Sequence, residues 1–232
     1  MSVDHLTPES MQEPVFTQTD RSAFINRTYT HLMGAIFLFA AIEYWLFSTP
    51  YAEMFAIYMI QTSWLAVLGA FIVVSWIASH VAHSVESKGA QYAALIGFVI
   101  AEAIIFIPMF YMALLIDPQI IEYAVAITLG AFVALTAVAM LSGRDFSFLK
   151  SFLMWGGVIA LGTIVLGVIA GFHLGTYFSM AMIGLAGASI LYDTSKILRD
   201  YPDDRYIAAS LQLFASIALM LWYVLRLFLS RR

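Results

Sequence analysis

LYDTSKILRDYPDDRYIAASLQLFASIALMLWYVLRLF, residues 191–228, decides the fold. An apolar run ends at Asp193, a short turn crowded with Lys196, Arg199, Asp200, Asp203, Asp204 and Arg205 follows, and a second apolar run begins at Tyr206. Two oily segments joined by a charged turn are the pattern of two antiparallel membrane helices with their connection in water. Outward from that seam the same alternation repeats along the chain. Of 232 residues, 62% are hydrophobic and 11% charged. A water-soluble domain carries roughly 25% charged residues, and it could not hide so much apolar surface.

Apolar runs separated by charges and turn residues fall at about 29–48, 60–79, 91–116, 121–141, 149–171, 175–193 and 206–228. Each approaches the roughly 20 residues that a helix needs to cross about 30 Å of hydrocarbon. The expected architecture is an all-α integral membrane protein, a seven-transmembrane-helix bundle over residues 29–232 with short connections and no second domain. Residues 1–28 are polar, contain Pro8 and Pro14, and lack the apolar core of a signal peptide. They read as an N-terminal tail. Gly156, Gly157, Gly162, Gly167 and Gly171, with Gly184 and Gly187, read as close-packing positions between helices. Pro108 is expected to kink its helix.

The basic residues orient the bundle. Arg21, Arg27, Lys88, Arg144, Lys150, Lys196, Arg199 and Arg205 all fall on one side, whereas the opposite loops near 48–58, 116–122 and 171–175 contain neither Lys nor Arg. By the positive-inside rule the N-terminus is expected in the cytoplasm. Seven crossings carry Arg226, Arg231 and Arg232 to the other side, against the rule, unless the last segment dips in and returns.

Several chemistries are disfavoured. A net charge of −4 offers no basic patch for nucleic acid, and without cysteine there is no thiolate metal site or thiol nucleophile. Lys88, Lys150 and Lys196 all lie in expected loops, which excludes a retinal-type lysine in the last span. His31 and His173 stand alone near helix ends, so no cluster of histidines faces a metal within the bundle. No phosphate loop appears. An enzyme is not expected, nor is any cofactor.

Three acids remain: Glu43 in FAAIEYWLF, Glu102 in IAEAIIF, and Asp193. An acid near a helix centre costs about 2.5–3.5 kcal/mol on insertion scales, so it faces protein or water. At 1.5 Å per residue, Glu102 lies roughly 18 Å and Glu43 roughly 20 Å from the basic side, with Asp193 at that side. Together they are expected to line one polar column, an arrangement suited to passing cations and to sensing pH. Each also has a plainer reading as a hydrogen-bonding group between helices. His80 and His83 in ASHVAHSVE share a helical face at the level of Asp193, where a His–carboxylate contact would respond to pH near neutrality. Interfacial histidines in a loop are the plainer reading.

The stretch LYDTSKIL, its charged loop and YIAASLQLFASIALMLWYVLRLF resemble the end of the Bax inhibitor-1 (transmembrane Bax inhibitor motif) family. GRDFSFL resembles the family's charged turn, and NRTYTHLMGAIFLFAAIE its first helix. The similarity covers about residues 24–229 and is strongest to the bacterial YccA-like branch. It implies a seven-helix fold with a central helix surrounded by the others, in the bacterial cytoplasmic (inner) membrane, with a pH-sensitive passive calcium leak. It further implies that Asp193 is the first of two aspartates that share a proton and latch the cytoplasmic mouth, touching calcium transiently. Phe214 stands where the second aspartate is expected, so Asp193 is left to pair with His80, His83, Ser210 or Gln212. That departure supports the alternative of a non-conducting regulatory protein acting on a membrane-bound protease of the FtsH type.

Overall fold

The computed structural model describes residues 18–62, 64–172 and 174–230. Among them are eight α-helices and no strand: α1 Gln18–Phe47, α2 Tyr51–Gln61, α3 Trp64–Ser84, α4 Lys88–Ile116, α5 Gln119–Leu141, α6 Leu149–Ala170, α7 Thr176–Arg199 and α8 Tyr206–Leu229. All except α2 have 21 residues or more. Six are long and apolar enough to cross a membrane, namely α1, α3, α4, α5, α6 and α8. The expectation of seven spans is therefore met closely but not exactly. Helix α7 has the length, 24 residues or about 36 Å, but Ser179, Ser189, Asp193, Thr194 and Ser195 dilute its apolar content. It packs against α8, α5 and α6, so these polar groups need not meet lipid.

Two boundaries differ from the expected ones. Helix α1 begins at Gln18, so residues 18–28 extend the first helix and do not belong to a tail. Phe24 and Thr28 are buried on this extension, and Arg21 anchors it by donating to the Tyr201 and Leu198 carbonyls and pairing with Asp203 at 2.9 Å. Residues 1–17 lie outside the described residues, as does His173. The second difference is α2, which replaces the expected loop near 48–58. Ala52 and Ala56 are buried beside Leu46 and Ile107, so this short apolar helix packs along α4 and covers the end of the bundle opposite the charged turns.

Helix α8 is the centre. In its apolar window 78% is buried inside the protein, against 11% for α3 and α6, and it touches α1, α3, α4, α5 and α7. That is the arrangement the resemblance implied. It runs unbroken from Tyr206 to Leu229 and is long and apolar enough to cross a membrane, with no turn at which it could double back. Arg226 near its end donates to the Leu174 carbonyl at 3.0 Å and lies over the Phe178 ring. Helix α4 continues through Pro108. Close approach at Gly187 is real: a Cβ there would meet Leu135 of α5 at 3.3 Å and Met220 of α8 at 3.6 Å. Small side chains at such crossings let backbones approach where lipid supplies no hydrophobic drive.

Candidate functional site

Asp193 lies one turn and a half before the end of α7 and is 1% exposed. Its Oδ2 accepts a hydrogen bond of 2.6 Å from Ser216 on α8 and a longer one of 3.3 Å from Ser189. The two serine hydroxyls are themselves 2.8 Å apart. Helical spacing places Ser189 four residues before Asp193, on the same face, and the α7–α8 crossing supplies Ser216. The result is a closed triangle of one carboxyl and two hydroxyls buried between the two helices.

The partners named from sequence are elsewhere. His80 is exposed and stacks on Trp76 with centroids 5.8 Å apart. His83 is half-buried, with Nδ1 on the Ser79 carbonyl at 2.8 Å and Nε2 on the Tyr201 hydroxyl at 2.9 Å. Ser210 donates to the carbonyls of Thr28 and Tyr206 and thereby fastens α1 to α8. Gln212 is half-buried on α8. None of these four supplies the hydrogen bonds of Asp193. Phe214 is likewise turned away: its ring meets Phe39 at 6.0 Å and Phe98 at 6.1 Å, edge to face, on the side of α1 and α4. Two residues along a helix is about 200°, so Phe214 and Ser216 point in nearly opposite directions. The residue across from Asp193 is Ser216.

Around this triangle the charged turns are tied together. Asp145, in the 142–148 turn, is held below the usual carboxylate range by the backbone N–H and hydroxyl of Ser147. Ser195 donates to it at 3.5 Å and receives the Phe146 N–H at 3.1 Å. Arg199 donates to the Gly143 carbonyl at 2.6 Å. Tyr201 is buried, which pushes its phenol up, and it joins His83, the Lys196 ammonium and Phe24 in one contact set. These contacts close the end of the bundle beneath Asp193.

The three acids do not form one column. Glu43 and Glu102 are each 6% exposed but open into different cavities. Glu43 faces a cavity of about 260 Å³ with Thr128, Leu129 and Phe214, between α1, α5 and α8. Glu102 faces one of about 830 Å³ among α3, α4, α6 and α8. Edge-to-face rings of Phe39 and Phe106, 5.3 Å apart, with Phe110 and Phe214, stand between the two. Equal depth along different helices had suggested proximity; position around the central helix separates them.

A polar line that sequence reasoning missed runs instead along α5. Thr128, Phe132 and Thr136 repeat every fourth residue and are all buried, which makes them one stripe. Thr128 shares the cavity of Glu43. Phe132 packs on the Tyr29 ring at 6.5 Å. The Tyr29 hydroxyl faces Thr136 and Thr194, the neighbour of Asp193. Among the described residues the Thr128 hydroxyl and both oxygens of Glu43 are buried without a protein hydrogen bond, and the buried hydroxyls of Tyr29, Thr136 and Thr194 have only loose contacts with one another. Buried polar groups of this kind are satisfied by water or an ion. The signal was a four-residue spacing of threonines in an apolar helix. Among the described residues no group of three or more His, Cys, Asp or Glu could hold a metal.

The sequence model described as "Inhibitor of apoptosis-promoting Bax1" matches residues 21–232, which takes in all eight helices except the first turn of α1. The chain belongs to the Bax inhibitor-1 family. This family member is 37% identical over 102 residues to Bax inhibitor 1 of Schizosaccharomyces pombe, covering 41% of this chain and 37% of that one. It is 31% identical over 111 residues to a membrane protein of Vibrio cholerae, covering 47% and 48%. A protein of Pseudomonas aeruginosa is 30% identical over 121 residues, covering 51% and 53%. The aligned segments thus span about half, or less, of these relatives. With its fold and family established, this is a multi-pass membrane protein in contact with the lipid bilayer.

Proposed function

We infer that this Bax inhibitor-1 family member is a passive, pH-sensitive leak for calcium or a similar cation, without enzymatic activity, in the bacterial inner membrane with its N-terminus in the cytoplasm. The observation that carries this reading is Asp193, a carboxyl buried at the charged end of the bundle, hydrogen-bonded by Ser216 and Ser189 and within the field of the Lys196 ammonium. A carboxylate accepts from both hydroxyls, while a protonated carboxyl donates one bond and loses the charge assistance of the others. Proton exchange at this one group therefore changes how tightly α7 holds α8. The route toward it is the line of buried polar groups from Glu43 through Thr128 to Tyr29, Thr136 and Thr194, with Phe132 as its apolar constriction. Calcium takes six to eight oxygen ligands when stably bound. Asp193 and two serines offer fewer, which fits a cation in transit and not a resident one.

The experiment is calcium entry into liposomes that contain only this protein. Entry faster than in protein-free liposomes, and faster on one side of neutrality than on the other, supports the leak. No entry at any pH refutes it.

One observation favours a second reading. Phe214 belongs to an aromatic cluster with Phe39, Phe98, Phe106 and Phe110 that fills the middle of the bundle. A sealed interior suits a non-conducting regulator of a membrane-bound protease such as FtsH. In that case the liposomes stay tight while the purified protein still alters proteolysis.

A further inference from the structure

The larger cavity belongs to neither reading. Its volume is about 830 Å³, within the roughly 300–1,000 Å³ of small-molecule sites. Its walls are apolar: Phe71 of α3, Phe98 and Met109 of α4, Ile164 of α6 and Leu219 of α8. It lies beside the place where α3 and α6 meet only lightly. A purely greasy cleft there would hold an acyl chain and nothing more specific.

Glu102 changes that. Its carboxyl lies in this cavity, 6% exposed, and among the described residues no hydrogen-bond donor reaches it. The rings of Phe98 and Phe106 flank it one turn before and one turn after on α4. Arg226, the cavity's basic residue, is already engaged with the Leu174 carbonyl and the Phe178 ring near the end of α8. Ser75 of α3, in the same lining, adds a buried hydroxyl without a hydrogen-bond partner among the described residues. An acid placed in an apolar environment without a partner is destabilising, and a ligand that supplies a cation offsets part of that cost.

We propose that the cavity between α3, α4, α6 and α8 is a binding site for a lipophilic amine, entered from the bilayer, with the ammonium on Glu102 and Ser75 and the hydrocarbon along the apolar walls. The ammonium donates to the carboxylate and to the serine oxygen, while the chain replaces lipid against Phe71, Ile164 and Leu219. Charge complementarity selects the occupant. A fatty acid brings no cation to Glu102, and an alcohol would forgo the charge-assisted bond. The site stands apart from Asp193 and Glu43, so it holds whether or not the protein conducts.

Trp222 lines the same cavity and reports on it. The protein in phosphatidylcholine nanodiscs is titrated with 12-bromododecylamine or 12-bromododecanol, whose bromine quenches tryptophan on contact. The Trp222 signal is the difference between wild type and Trp222→Phe. The amine is expected to quench it saturably and to bind about ten- to a hundredfold more tightly than the alcohol, as one charge-assisted hydrogen bond would give. Glu102→Gln should bring the amine down to the level of the alcohol and leave the alcohol unchanged. Ala215→Phe, which narrows the cavity and keeps the acid, should weaken saturable quenching by both. Equal binding of amine and alcohol in wild type would mean an acyl-chain cleft only and would overturn the proposal. So would amine binding that is unchanged in Ala215→Phe or in Glu102→Gln.

Discussion

Ser216 of α8 donates a 2.6 Å hydrogen bond to the buried carboxyl of Asp193 on α7, and Ser189 completes the triangle. This relation fixes which face of the central helix meets the charged end of α7. Replacing Ser216 with Ala removes the shorter bond and leaves a buried acid with a single weak donor. The expected loss is about 1–3 kcal/mol, read as a lower midpoint of thermal unfolding in detergent. The pH dependence of calcium flux should shift with it. An unchanged midpoint and profile would mean the contact carries no weight.

Phe214 and Ser216 are expected to behave oppositely when made acidic. Phe214→Asp sets a carboxyl among Phe39 and Phe98 and empties a buried aromatic site, at a cost of roughly 3–5 kcal/mol or more. It should express poorly and not sharpen any pH response. Ser216→Asp places a second carboxyl directly against Asp193, and two such groups share protons as a pair. Its flux should respond to pH more steeply than wild type. A sharper response from Phe214→Asp would reverse the assignment.

Phe132 interrupts the polar stripe between Thr128 and Thr136. Phe132→Ala should raise calcium flux several-fold by joining the two polar stretches, while lowering stability by about 3–5 kcal/mol. Flux is compared at equal amounts of folded protein. A flux equal to wild type would place the route elsewhere.

The topology can be checked directly, because the chain has no cysteine. Ser142 and Ser48 are exposed at opposite ends of the bundle. In cells, Ser48→Cys should react with an impermeant thiol reagent added outside, and Ser142→Cys only after lysis. The reverse pattern would invert the orientation.

Much of this fold was readable in the residues. Continuous apolar runs located the long helices, because about twenty such residues have few other solutions. Helix α2 was hidden because eleven residues behind Pro50 are too short to register as a span. The end of α7 was placed early, since Lys196 and Arg199 look like a loop although cations suit the last turn of a helix. At the candidate site Asp193 stood out as an acid at an oily boundary. Ser189 and Ser216 did not, because a serine in a membrane helix usually bonds its own backbone. The register of α7 on α8 is what makes them partners, and one sequence does not carry that register. The same holds for Glu43 and Glu102, whose depth was readable and whose separation around α8 was not.

The central claim is that Asp193 is the proton-sensing group of a cation leak. The direct measurement is calcium entry into proteoliposomes from mildly acid to mildly alkaline pH, for wild type and Asp193→Asn. Asparagine keeps a carbonyl oxygen to accept from Ser216 but cannot titrate. The account predicts that wild-type flux varies with pH while Asp193→Asn conducts at a nearly constant rate. An Asn variant that conducts with the wild-type pH profile would contradict it.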